Sequence, residues 1–376
     1  MSLALPPEDA FAGPFPLASL DGPEPLEERQ ERWRKELSAA IYGPLPPAPA
    51  ELEVEASPLG EASAERIEIT MRSAIGARTL TVDAALWRPE SRGDAPLIAG
   101  LGFAGPAGIL SGPDFPLDRR ARIHCRPELG ILNGRLHDVL RGTEAHRWPV
   151  EMLTARGYAV MVSCYGSWAP DDPDEILRHG ACPFVGLDTG AISLWAWAIQ
   201  RLLDSAGRLG GLDMGQVAVA GHSRLGKAAL WAAANDTRIG AVLANNSGCA
   251  GAAPAGHAVG ETLAQMAAAF PHWIRPQRRA AALDQHHLIA CAAPRKVYVA
   301  SAEQDLWADP AGSYLALVAA SEAWPRTCSW PGIEEMWAGA HQTRHAALGH
   351  HLRPGGHELL PHDWQLFLDF LDGGHA

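Results

Sequence analysis

Residues 216–234, QVAVAGHSRLGKAALWAAA, set one serine, Ser223, between an apolar run and an alanine-rich helical stretch. A serine on a tight strand-to-helix turn, flanked by small residues that let strand and helix approach, is the setting of a nucleophile elbow. The match to G-x-S-x-G is imperfect, since Leu225 stands where the second glycine is expected and Gly226 follows one position later. A serine just before a helix also commonly caps it, its hydroxyl oxygen accepting a backbone N–H of the first turn. As a nucleophile, Ser223 needs a histidine to take its proton and a carboxylate to orient that histidine. In an α/β-hydrolase they follow in the order serine, acid, histidine.

The candidate base is His357, which follows Pro354-Gly355-Gly356 in HHLRPGGHELLPHDW (350–364), just before the last helical stretch; His350, His351 and His362 read as surface or packing residues. The acid is sought beyond the carboxyl end of a strand. AEQDLWADP (302–310) offers Glu303, Asp305 and Asp309, whereas NNSGCAGAA (245–253), one strand earlier, is followed by no carboxylate before Glu261. By elimination the acid comes from 303–309. His341 and His345 stand at helical i,i+4 spacing like half a metal site, but no H-E-x-x-H frame surrounds them, and no metal is expected.

The elements that must position these residues follow from the apolar pattern. Short apolar runs at 97–103, 158–163, 217–220, 241–243 and 296–301 alternate with helical stretches at 147–156, 192–203 and 227–235. Buried strands alternating with amphipathic helices predict an α/β fold with a parallel sheet covered on both faces. In the helix over 192–203, Ile192, Trp195, Ile199 and Leu202 share one face; a last helix carries Trp364, Phe367, Leu368 and Leu371 on one side. Residues 66–72 and 79–87 alternate apolar and polar and predict an antiparallel pair. The first sixty residues, with a short amphipathic helix over 26–41 and then YGPLPPAPA, read as an N-terminal arm lying on a single catalytic domain of residues 61–376.

Composition narrows the function. The chain has 376 residues, 47% of them hydrophobic, and 31 basic against 43 acidic side chains give a net charge of −12. An acidic chain without a basic cluster is unsuited to nucleic acid or an anionic membrane surface, and no apolar run reaches the roughly 18 residues that span a bilayer. The first residues, MSLALPPEDAFAGPF, have no positive n-region, so no signal peptide is visible and a cytoplasmic location stays open. Six cysteines, Cys125, Cys164, Cys182, Cys249, Cys291 and Cys328, form no C-x-x-C pair and read mostly as small buried side chains.

The segments GHSRLGK, NNSGCAGAA, GETLAQMAAAFPHW, LDQHHLIACAAPRKVYVASAEQDLWADP and HLRPGGHELLPHDW resemble the bacterial branch of carbohydrate esterase family 15, the glucuronoyl esterases. The resemblance runs from about Tyr42-Gly43-Pro44 to the end of the chain and is densest after residue 215; its shared G-x-S-R-x-G-K frame accounts for the displaced glycine. It implies an α/β-hydrolase fold without cofactor and cleavage of esters between glucuronic acid groups on xylan and alcohols of lignin. It also implies a monomer, secreted or periplasmic if a leader has been removed. By the resemblance Ser223 is the nucleophile, His357 the base and Arg224 the arginine that stabilises the oxyanion. Lys227, Glu261 and Trp307 fall on residues that line the sugar site. Fungal members carry their acid in an E-S-G segment, here Asn246-Ser247-Gly248; some bacterial members carry an aspartate one strand later, and Asp305 matches it. Residues 165–184 follow the family only loosely, which leaves one cleft wall undefined. Two other readings stay open: a carboxylesterase for another acyl group, such as acetyl on xylan, and a hydrolase-like carbohydrate-binding protein that has lost its acid.

Overall fold

The computed structural model describes residues 17–373 except 61–62, 91–92, 130, 258, 277–282, 326–328 and 339–341. The elements used below are, in chain order, helix α1 (Leu26–Leu37), strands β1 (Glu51–Leu59), β2 (Ala64–Arg72), β3 (Thr79–Trp87), β4 (Ala95–Gly102) and β5 (Ala159–Cys164), helix α2 (Ala191–Ala206), strand β6 (Leu212–His222), helix α3 (Arg224–Asn235), strand β7 (Ile239–Asn245), helix α4 (Gln285–Ala290), strand β8 (Lys296–Ala302), helix α5 (Pro310–Ala320), strands β9 (Gln342–His345) and β10 (Leu348–Arg353), and helix α6 (Pro361–Leu371). The chain forms two compact units, one of Tyr42–Val219 and Phe270–Arg275, the other of Met1–Ile41, Ala220–Ala269 and Pro276–Ala376.

In the first unit the strands lie in the order β1-β2-β3-β5-β4-β6. The expected antiparallel pair is β2 and β3, in register from Ala64 opposite Trp87 to Arg72 opposite Thr79. Along β2 the apolar side chains of Ile67, Ile69 and Met71 are buried and alternate with half-exposed polar ones, the pattern of an antiparallel strand wet on one face. Residues 51–59, read from the sequence as part of the arm, form β1 and pair with β2 along nine residues. Beyond β3 the character changes: β4 and β5 are parallel, and β5 is buried along its whole length. Helix α2 departs from its expected one-sided face, for Trp197, Ser193, Arg201 and Ser205 are buried together with the apolar stripe. Its polar atoms are satisfied inside the unit, Trp195 Nε1 donating to the Ala169 carbonyl at 2.9 Å and Trp197 Nε1 to that of Pro47 at 2.8 Å. The loosely patterned stretch after β5 is organised around Asp171, whose carboxylate accepts from Tyr165 Oη, His272 Nε2 and Trp273 Nε1 at 2.6–2.9 Å.

In the second unit β7-β8-β10-β9 follow in that order, with β7 and β10 each parallel to β8 and β9 antiparallel to β10. The α1 helix belongs here: Gln30 Nε2 donates to the carbonyls of Ala290 and Ala293, both at 2.9 Å, and the Trp33 ring meets that of His287 edge-on. Strand β10, LGHHLR, had no apolar signature in the sequence, yet every one of its residues is buried. Burial drives His350 down to about 3, so its ring is neutral, and also lowers His351. The 342–345 stretch is a strand, so the helical spacing of His341 and His345 is not realised; His341 itself lies outside the described residues. Five of the six cysteines are free thiols, and Cys328 lies outside the described residues.

The segment that bears His357 is anchored from below by Asp363, the third residue of α6. Its carboxylate accepts from His351 Nε2 at 2.7 Å, Arg353 Nε at 3.0 Å and the Leu360 N–H at 2.7 Å. Burial alone would raise the Asp363 carboxyl; the His351 hydrogen bond, the His351 and Arg353 charges and the Leu360 N–H outweigh it and hold it below its ordinary value. Asp363→Ala would leave the Arg353 guanidinium buried without its partner, so it should cost about 3–5 kcal/mol, read from the denaturant midpoint. A folded carboxyl below its unfolded value stabilises fully above about pH 4 and less as pH falls through the folded value, and a buried neutral histidine loses stability below about pH 6.5. The wild-type Tm should therefore fall on acidification in two stages, and Asp363→Ala should lack the lower one.

Candidate active site

Strand β6 ends at His222, and Ser223 turns the chain at φ 57°, ψ −129° before α3 begins at Arg224. This is a left-handed conformation that a residue with a Cβ adopts at a cost of about 1–3 kcal/mol, held only where the surroundings over-determine it. The glycines explain how the turn fits. A Cβ on Gly221 would fall 2.1 Å from the Leu225 carbonyl oxygen, so the strand can pass the first turn of α3 only as glycine. A Cβ on Gly226 would fall 2.9 Å from Ser247 Cβ and 3.0 Å from the Gly221 oxygen, which is why the second glycine is at 226 rather than 225. The Ser223 N–H donates to the Asn245 carbonyl at 2.9 Å, and its own carbonyl accepts from the N–H groups of Gly226 and Lys227. The hydroxyl makes no capping hydrogen bond, so the helix-cap reading of this serine does not hold.

Of the three carboxylates on the β8 loop, Asp305 meets His357: Asp305 Oδ2 lies 2.5 Å from His357 Nδ1. Asp309 is engaged elsewhere, accepting from Gly312 N at the start of α5 and pairing with His257 Nδ1 at 2.5 Å. Glu303 has its N–H on the Arg353 carbonyl and its side chain near Gln304. A carboxylate oxygen accepts, so Nδ1 of His357 is the donor in this contact and Nε2 is the ring nitrogen turned away from Asp305. Asp305 is buried, while the His357 side chain is 42% exposed and open to a substrate. The two loops are laced together: Gln304 N donates to Gly355 O at 3.0 Å, and Arg353 spans the histidine loop with bonds to the carbonyls of Pro354, Gly356 and Glu358.

Asn246, in the Asn246-Ser247-Gly248 segment after β7, is a brace. Its Oδ1 accepts from Ala302 N and its Nδ2 donates to the Glu358 carbonyl, both at 3.0 Å, so it joins the end of β8 to the residue after His357. Sequence reasoning passed over this brace, as it did the contact of the His222 ring with that of His357, their centroids 4.5 Å apart.

Lys227 and Glu261, both predicted to line the sugar site, are brought together in a buried pair at 3.1 Å, and Lys227 Nζ also donates to the Cys249 carbonyl. Two of the three ammonium donors are thus engaged. The Glu261 loop is fixed to the loop after β8 by its own N–H on the Trp307 carbonyl at 2.9 Å and by the His257–Asp309 pair, and to the head of α4 by Asp284, which accepts from the N–H groups of Ala255 and Gly256. The hydrogen bond to Asp309 raises the His257 pKa above its ordinary value. Leu306 packs on the apolar cluster of Ala311, Tyr314, Met336, Trp337 and Leu352, and its neighbour Trp307 is 55% exposed rather than a packing residue. Arg224 is half-buried at the head of α3. Among the described residues, no group of three His, Cys, Asp or Glu is placed to hold a metal. A cavity of about 500 Å³ rimmed by Arg78, Arg120, Arg178 and Phe184, all in the first unit, includes none of the predicted site residues.

The family model described as "Glucuronyl esterase, fungi" matches residues 185–327. A curated relative from an unknown prokaryotic organism, carbohydrate esterase MZ0003, is 30% identical over 96% of this chain and 88% of its own length. Among solved structures, a promiscuous CE15 esterase from the marine bacterial metagenome aligns with a TM-score of 0.84 and 26% identity, over 98% of this chain and 99% of its own. A glucuronoyl esterase from Solibacter usitatus aligns with a TM-score of 0.82 and 27% identity, over 98% of this chain and all of its own. The fold is the α/β-hydrolase fold expected from the sequence. With a strained serine after β6, an Asp–His pair from two later loops and a relative matched along most of its length, the chain belongs to carbohydrate esterase family 15, the glucuronoyl esterases.

Proposed function

We propose that this chain is a serine esterase that hydrolyses esters of glucuronic acid, of the kind that joins glucuronoxylan to lignin, and that Ser223, His357 and Asp305 are its triad. The observation that carries the reading is the 2.5 Å contact from Asp305 to His357 Nδ1, with the His357 ring packed on that of His222, the residue before a serine strained at φ 57°. His357 Nε2 takes the Ser223 proton as Oγ attacks the ester carbonyl. The tetrahedral oxygen carries a negative charge facing Arg224, whose backbone N–H and guanidinium donate to it; such donors lower the barrier by about 3–4 kcal/mol. The C–O bond to the alcohol breaks, and the alcohol leaves with the proton from His357. Water, deprotonated by the same ring, then attacks the glucuronoyl-serine and releases the free acid.

The sugar side follows from donor and acceptor counting. Esterification removes the carboxylate charge, so a uronate ester offers hydroxyls and a ring face. Lys227 has one donor left after Glu261 and Cys249, Glu261 has further acceptor capacity, and the exposed Trp307 offers a flat apolar face. Glucuronoxylan is a wall polymer, which puts the site of action outside the cytoplasm. No described helix is long and apolar enough to cross a membrane. The acid-lacking carbohydrate-binding reading is disfavoured by the Asp305–His357 contact, and the acetyl-esterase reading by the Lys227–Glu261 pair, which an acetyl group would not use.

Ser223→Ala and His357→Ala should each nearly abolish hydrolysis of benzyl glucuronate with Tm unchanged, and the double variant should be little worse, since triad residues act as a unit. Loss of the acid in a serine protease costs about 10⁴ in kcat, so Asp305→Asn should lose at least about a hundredfold. Near-normal kcat in Asp305→Asn, or additive losses in the double variant, would break the triad. Lys227→Ala should lower kcat/KM for benzyl glucuronate while sparing p-nitrophenyl acetate, because a site that hydrogen-bonds hydroxyls discriminates through those bonds. Equal losses on both substrates would assign Lys227 to the fold or the chemistry instead.

A further inference from the structure

We propose that His222 is a positioning residue that holds the ring plane of His357, an inference that rests on the triad reading above. The protonation of the network around it can be read from its two ends. The Ala302 N–H can only donate, so Asn246 Oδ1, 3.0 Å away, accepts. Asn246 Nδ2 therefore faces the Glu358 carbonyl at 3.0 Å, which can only accept, and Asn245 Oδ1 at 3.2 Å. Since Asn245 Oδ1 accepts, His222 Nδ1, 2.6 Å from the same oxygen, must be the donor. Two backbone groups thus fix the orientation of two amides and, through them, the tautomer of a buried imidazole.

The other side of that imidazole meets His357, with ring centroids 4.5 Å apart and planes tilted by 43°. The Asp305 hydrogen bond holds the Nδ1 end of His357 but leaves the ring room to rock about its Cβ–Cγ bond. With the His357 side chain 42% exposed, a contact on the ring face is what removes that rotation. His222 is joined by one peptide bond to Ser223, so the surface against which His357 rests is fixed to the nucleophile. Asn246 completes the grip by holding the carbonyl of Glu358, the residue after the base. Asp305 then sets the tautomer, and His222 sets the direction of Nε2.

The test uses the full chain with benzyl glucuronate, a fluorophosphonate titration to count active sites, and the low-field proton resonance of His357 Nδ1–H. A misdirected base costs about tenfold to a hundredfold, so His222→Ala should lose that much kcat per active site with KM within about twofold, and the resonance should broaden. His222→Phe restores a ring against His357 and should recover most of kcat and the sharp resonance. Should the alanine variant not fold, His222→Leu, which fills the space without a ring, carries the same two readouts. A kcat per active site equal to wild type with an unchanged resonance, in either variant, would overturn the inference. Ser223→Ala in the same assay separates the two readings: if it stays active the triad falls, and if it is dead while His222→Ala is normal, only the role of His222 falls.

Discussion

Everything at the site is measured from a serine held in a left-handed turn between β6 and α3. That conformation is costly, and it persists because the atoms around it leave no other path. Gly221 passes under the Leu225 carbonyl, Gly226 lies against Ser247 and Gly221, and the Ser223 N–H is tied to Asn245. The same crowding displaces the second glycine by one position from the common motif. A methyl group at either glycine would push α3 away from β6 and release the serine from its strain.

A fixed serine is useful only if base and acid arrive from two other loops at the right height. The β8 loop brings Asp305, at the head of a single 3-10 turn over Leu306–Ala308, and the β10 loop brings His357. Their rigidity comes from a few polar contacts: Arg353 across the carbonyls of its own loop, Gln304 across to Gly355, and Asn246 between Ala302 and Glu358. Asp363 anchors Arg353 and His351 beneath them. Similar tethers hold the Glu261 loop to the loop after β8, where the packing of Leu306 leaves its neighbour Trp307 exposed. One arrangement of hydrogen bonds therefore serves both the reacting atoms and the surface that would recognise a sugar.

Much of this was legible in the residues. The apolar runs near 97–103, 158–163 and 296–301 became β4, β5 and β8 because strands buried on both faces leave an unbroken apolar trace. The turn formers around 354–356 marked the histidine loop, and strand order narrowed the acid to three carboxylates. Strand β10 was hidden because its histidines replace apolar residues and are satisfied or neutralised by burial, which no periodicity reveals. Strand β1 was hidden within a stretch of exposed acidic side chains, with Leu52 and Leu59 buried near its two ends. The roles of Asn246 and His222 depend on contacts between segments far apart in sequence, and a single chain read in order has no signal for those.

The central claim is that a glucuronoyl group is transferred to Ser223. Rapid quenching of the enzyme during turnover of benzyl glucuronate, followed by mass spectrometry of the peptide that contains residue 223, tests it directly. The account predicts a transient increase by glucuronic acid less water on Ser223, lost in Ser223→Ala and absent with free glucuronate. Steady turnover with no acyl adduct at any time, or an adduct on another residue, would contradict it.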